Sequence, residues 1–206
     1  MEFSGELISA INVALNESDW LDVRLEAARA RVEFMMRVMT LPEVGPEPAD
    51  RSLVVRCDGV GRVAASLRAG RWNDEAAAVE PVTVESLSEI VRRFEGQPVY
   101  GWDFIDPKDE KGNSWTRWSQ RLSLDTTFGG QGSHVIELFQ ESLTGPVRHL
   151  DVRVWFEDLS MVNADGHEVP IEAVTSGGKR WWDGFFAGDA RTQSHGMGPL
   201  KPDTSE

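Results

Sequence analysis

The sequence predicts an α+β protein: a mostly antiparallel β-sheet built of hairpins, covered by one or two helices and followed by a disordered C-terminal tail. Three observations carry this. From Trp118 onward, alternating apolar segments succeed one another, separated by glycine-bearing turns. The clearest helix-period segment, 83–95, stands alone rather than in a strand–helix–strand rhythm, which disfavours a parallel doubly wound sheet. No linker of changed composition separates the two halves, so residues 1–188 read as one domain and 189–206 as its tail.

The elements follow in order. In 3–16, Leu7, Ile8, Ile11 and Leu15 fall at helical spacing and Ser4 is placed to cap the free amides. Residues 20–39 fit two patterns. As a helix, Leu25, Ala28, Val32, Met35, Met36 and Met39 share a face. As a hairpin, Leu21, Val23 and Leu25 alternate, "EAARA" turns, and Val32, Phe34, Met36 and Val38 alternate. The tetrapeptide Leu-Asp-Val-Arg recurs at 150–153, inside "HLDVRVWFEDL", whose Val, Trp and Phe content is strand-like. The echo favours the hairpin, and it ends too soon to mark a duplicated unit.

"TLPEVGPEPAD" is a loop, and "RSLVVRCDGVGRVAASL" a strand, a glycine-marked turn or bulge, and a second strand. "AGRWNDEAAAVEP" is polar and irregular. In "TVESLSEIVRRFEG", Val84, Leu87, Ile90, Val91 and Phe94 form one helical face, with Thr83 as N-cap and Gly96 at the C-terminal cap. "QPVYGWDFID" returns to strand, and "PKDEKGNSW" is a solvated loop. Then "WSQRLSLDTTF", the turn "GGQG", "SHVIELFQES" and the second LDVR segment read as strands. "NADG" turns the chain into a short hairpin with "HEVPI". "GGKRWWDGFFAG" reads as one helical turn laying its rings on the sheet, after Gly177 and Gly178 as a connector. The segment from Asp189 is polar and rich in Gly and Pro.

The totals restrict function. Lys plus Arg number 21 and Asp plus Glu 34, giving a formal charge of −13, which opposes nucleic acid or an anionic membrane as partner. One cysteine, Cys57, excludes an intrachain disulfide and suits a reducing cytosol. The first residues lack a signal-peptide pattern and no run is long enough to cross a bilayer, so a cytoplasmic protein is expected.

Catalytic and metal signatures do not emerge. His134, His149, His167 and His195 have no ligand spacing with each other or with Cys57. The acids of "DFIDPKDEKGN" put Lys108 and Lys111 where an EF-hand needs an oxygen ligand and a glycine. "GGQG" and "SGGKRWW" lack the spacing of a phosphate loop, and Cys57 sits in an apolar strand without a cue for a lowered pKa. The expectation is no catalytic residue, no metal and no cofactor.

Charge is instead segregated along the chain. Arg51 to Arg71 hold five arginines against one aspartate, and Asn73 to Glu110 ten acids against three bases. Asp74, Glu75, Glu85, Glu89, Glu95, Asp106, Asp109 and Glu110 form the candidate face for a basic partner protein. Eight tryptophans against one tyrosine read first as core and rim. Trp102, Trp115, Trp118, Trp181 and Trp182 are the alternative: an aromatic cleft for a small molecule or carbohydrate, open to an enzymatic use. A structural subunit that self-associates through exposed strands is a third reading.

"LDVRLEAARARVEFMMRVM" followed by "RSLVVRCDGVGRVAASL" resembles small β-rich bacterial immunity proteins of polymorphic toxin systems, and uncharacterised families of actinobacterial type. The likeness lies in the hairpin and the following apolar-x-apolar-Arg-x-x-Gly-Val strand with Gly59 and Val60, and it covers residues 20–68. It implies a non-catalytic protein that masks a basic nuclease surface, and it carries over no individual binding residue.

Overall fold

The computed structural model of the chain describes residues 3–94, 97–99, 101–105, 119–142 and 146–195, the stretches 101–105 and 194–195 as backbone alone. Within them lie two antiparallel sheets and three helices, the α+β, β-rich architecture that the alternation predicts.

Helix α1 (Gly5–Leu15) starts at Ser4, whose Oγ accepts the Leu7 amide at 3.2 Å, and buries Ile11, Ala14 and Leu15. Strands β1 (Asp19–Glu26) and β2 (Arg31–Arg37) form the hairpin, pairing Val23 with Phe34 and Leu25 with Val32. One 3-10 turn, Ala27–Arg29, reverses the chain, closed by Ala30 in the left-handed region at φ 47°. Helix propensity loses here because only the two-residue period puts Val32, Phe34 and Met36 together on the core.

Strand β3 (Ser52–Asp58) joins the first sheet and β4 (Arg62–Ala69) the second. The region read as irregular contains a short edge strand, β5 (Ala78–Glu80), paired with the end of β4. Helix α2 (Leu87–Arg92) is shorter than the 83–95 expected, although Leu87, Ile90, Val91 and Phe94 form the predicted buried face. Thr83 Oγ1 accepts the Ser86 amide and Ser86 Oγ the Thr83 amide, and this reciprocal exchange holds a separate turn ahead of the regular helix.

Strand β6 (Gly101–Ile105) is followed, after a 3-10 turn at Ser119–Arg121, by β7 (Leu124–Thr127), β8 (His134–Ser142), β9 (Arg148–Phe156) and β10 (Asp158–Asn163). The Asn163 side chain accepts the Asp165 and His167 amides, closing the "NADG" turn, and Val169 returns to Met161 at 2.8 Å. The expected loop at 107–115 and Gly96 lie outside the described residues.

The strand order is β1-β2-β3-β10 in the first sheet and β5-β4-β9-β8-β6 in the second, with β7 also paired to β4. Pairs β3–β10 and β4–β9 are one two-stranded ribbon, bent from sheet to sheet. Its bonds run on through the bend: Glu157 N–H donates to Asp58 C=O and Gly61 N–H to Trp155 C=O, both at 2.9 Å. Gly59 supplies the positive φ, 64°, and a Cβ there would come within 2.7 Å of the Glu157 side chain. The two LDVR segments therefore lie on β1 and β9, in different sheets.

One apolar cluster draws on both sheets and on α1, α2 and the helix α3 (Ile171–Ala187), with Phe34, Val55, Val63, Leu138, Val152 and Phe156 at its centre. Helix α3 corrects the sequence reading of a connector and a single turn. Gly177 and Gly178 are inside it because its neighbours come so close: a Cβ on Gly178 would lie 2.7 Å from Ala14 Cα, and one on Gly177 2.2 Å from Thr40 Oγ1. The rings pack on residues 39–41 and α1 rather than on a sheet. Past Gly188 the chain makes a further 3-10 turn, Ala190–His195, with Thr192 buried. No helix among the described residues is long and apolar enough to cross a membrane.

Candidate binding surfaces

The described acids of the predicted face lie on the β4–β5 turn, the Thr83 turn and α2. Asp74 and Glu75 are exposed on the turn between β4 and β5, at the edge of the second sheet. Asp74 shapes that turn by accepting the Ala76 amide at 2.9 Å. The turn is held to the sheet because the His149 ring meets Gly70 C=O at 2.7 Å and Glu141 accepts the Trp72 amide at 3.0 Å. Glu85 and Glu89 are exposed on the Thr83 turn and α2, which packs on β1 of the other sheet. Hydrogen bonds from its own backbone and Thr83 hold Glu85 below the usual carboxylate range. Glu89 meets Arg93 at 2.6 Å, a pair more than half exposed at both ends and worth little to stability. Glu95, Asp106, Asp109 and Glu110 lie outside the described residues.

The indoles divide as well. Trp115 and Trp118 lie outside the described residues, and Trp102 occupies the β6 position opposite Leu138. Trp181 is fully buried, stacked on Phe185 with ring centroids 5.3 Å apart, in a small cluster with Met39 and Leu41. It packs rather than presenting a face to a ligand. Trp182 keeps part of its ring in solvent, and its Nε1 donates to Val13 C=O at 3.0 Å. It belongs to a groove of about 690 Å³ between α1 and α3, lined by Glu6, Ser9, Ala10 and Val13 from one helix and Thr175, Ser176, Lys179, Trp182, Asp183 and Phe186 from the other. A smaller cavity of about 230 Å³ between α2 and the second sheet has Arg93 and Arg148 in its lining, both engaged already, with Glu89 and Glu80.

One constellation escaped the sequence reading. The face of the second sheet turned away from the apolar cluster buries charge: Arg68 and Arg153 are at most 1 % exposed, and His149 and Asp151 are buried beside them. Arg68 pairs with Asp151 on the neighbouring strand, and Arg153 with Glu137. Burial pushes the Asp151 carboxyl up to about 7, against the pull of Arg68, and the charge of Glu137 adds to the rise. Burial lowers His149, and the positive charge of Arg68 lowers it further, while its bond to Gly70 C=O, Glu141 and Asp74 oppose. The available signal was in the second LDVR: Leu150, Val152 and Val154 fill the core face, so Asp151 and Arg153 must meet whatever covers the other.

The buried Cys57 thiol is pushed well above its ordinary value by burial and by Asp58, so it packs as a small apolar group. Among the described residues no group of three or more His, Cys, Asp and Glu side chains is placed to hold a metal ion.

No family model matches the chain, and no solved structure matches it. An isoleucine–tRNA ligase from Bordetella avium (strain 197N) is 28 % identical over 94 residues, which are 45 % of this chain and 10 % of that protein. The chain thus spans about a tenth of the length of the curated relative it matches, too little to carry that protein's activity across.

Proposed function

We propose that the chain is a non-catalytic, cytoplasmic protein-binding module that engages a basic partner through its acidic surface, in the manner of the immunity proteins its first hairpin resembles. The arrangement of ion pairs supports this reading above all else. Among the described residues many arginines are engaged by the chain's own acids: Arg31 by Asp58, Arg37 by Asp19, Arg51 by Glu47, Arg56 by Glu33, Arg62 by Asp125, Arg68 by Asp151, Arg93 by Glu89, Arg148 by Glu80 and Arg153 by Glu137. Each pair cancels one charge with one, and the full sequence carries a surplus of 34 − 21 = 13 negative charges. Asp74, Glu75, Glu85 and Glu89 hold exposed carboxylates on the β4–β5 turn, the Thr83 turn and α2, a field that steers and orients a cationic surface.

The test is a salt titration of binding to a purified basic protein recovered from the native cell. Affinity should fall at least about tenfold between about 0.05 and 0.5 M salt. The charge reversals Asp74→Lys with Glu75→Lys, and Glu85→Lys with Glu89→Lys, should slow association. Affinity indifferent to both salt and these reversals overturns the proposal.

A further inference from the structure

Helices α1 and α3 run in the same direction. Leu7 and Ile171 share one surface hollow near their starts, and Val13 meets Trp182 near their ends. Their outward groove combines three properties. Its lining includes small residues, Ser9, Ala10 and Ser176, which let a third backbone approach closely. One end carries large exposed apolar groups: Val13 is 45 % and Phe186 73 % exposed, beside the half-buried ring of Trp182. That same end is electronegative, because both helix C-termini lie there and neither helix has a basic residue in its last turn. Lys179, the one cation among the described lining residues, is closed on Asp183 at 2.6 Å, and Glu6 adds a negative charge at the far end.

We propose that this groove receives an amphipathic helix of a partner protein, apolar on the face it inserts and carrying Lys or Arg beside its apolar anchors. The proposal rests on the protein-binding reading above and gives the partner a second, apolar contact. An inserted strand is not the occupant, because the walls are helices whose backbone groups bond internally and offer no ladder edge. Charge argues against a second copy of this chain, since each copy is formally −13 and would set electronegative helix ends against its own kind. A cation beside Trp182 and Phe186 gains from both the helix ends and the ring faces. The bond from Trp182 Nε1 to Val13 C=O fixes the indole before a partner arrives, so little ordering remains to be done on binding.

The experiment uses the full chain and a synthetic Leu/Lys amphipathic peptide of about 18 residues, long enough to span the 11-residue α1. Its Leu/Glu counterpart and a scrambled peptide of the same composition serve as controls. Calorimetry should show the Leu/Lys peptide binding, Phe186→Asp weakening it at least about tenfold, and the Trp182 indole N–H resonance shifting on titration. The exposed position of Phe186 leaves folding intact, checked by an unchanged melting curve. Equal binding by the wild type and Phe186→Asp overturns the proposal, as does equal binding of the Leu/Glu or scrambled peptide. Loss of binding only on Asp74→Lys with Glu75→Lys removes the groove while leaving the acidic-surface reading intact. A wild-type dimer that Phe186→Asp dissociates makes the occupant a second copy and also overturns it.

Discussion

Asp151 has the most consequential environment of any single side chain. An aspartate normally titrates near 3.9 when unfolded, and in this fold it is raised to about 7 by burial, with Arg68 opposing. The folded state therefore holds the proton more tightly than the unfolded one, the reverse of a salt-bridged surface aspartate. The cost of ionising Asp151 in place is fully present above the folded value and is relieved as pH falls through about 7 toward about 4. His149 works the other way: its folded value is depressed, so its contribution is present above about 6.5 and is lost as pH falls below that. Asp151→Asn isolates the first effect. Urea unfolding of both proteins at about pH 5 and about pH 8 should show that the wild type loses more stability on going to the higher pH than the variant does, His149 contributing equally to each. Parallel changes in the two proteins would mean that Asp151 is ionised throughout this range in the folded state.

At the level of elements, α3 shows best what a sequence conveys and what it withholds. Glycine inside a helix ordinarily costs about 1 kcal/mol relative to alanine, so "GGKRWWDGFFAG" looked too weak to continue far. The compensation comes from Ala14 and Thr40, more than 130 residues away along the chain, and no local pattern records it. This gives a prediction of sign. Gly178→Ala, which would stabilise an isolated helix, should destabilise this protein by about 1–3 kcal/mol, because the added methyl meets Ala14 backbone. A chemical denaturation midpoint that rises would show that the two helices part without cost. Elements whose partners lie nearby were legible: the β1–β2 hairpin, the Ser4 cap, and the apolar face of α2 each followed from alternation, capping chemistry or period. Edge strand β5 was not, since three residues in register with Leu67–Ala69 leave no signature of their own. For the binding surfaces, sequence joined in one face acids of which the described four, Asp74, Glu75, Glu85 and Glu89, are distributed between the β4–β5 turn, the Thr83 turn and α2. It likewise gathered Trp181 with Trp182, neighbours in sequence that α3 sends one inward and one outward.

For the whole molecule, the bent ribbon of β3–β4 and β9–β10 has a mechanical consequence. The four segments run on from one sheet into the other, so the β3–β10 pair at one edge of the first sheet and the β4–β9 pair inside the second do not exist independently of each other. A fluctuation that frees Val55 from Met161 must travel through Gly59 and Glu157 before it reaches Val63 and Val154, and there it meets an intact ladder. The protein therefore has a spine that resists opening piecemeal, while the rings of α3 pack in a separate, smaller cluster with Met39 and Leu41. Native-state hydrogen exchange should find the amides of Val55 and Val154 released together at the global unfolding free energy, with those of α3 exchanging earlier. A spine of this kind lets the outer helices yield to an incoming chain without loosening the scaffold that carries the carboxylates.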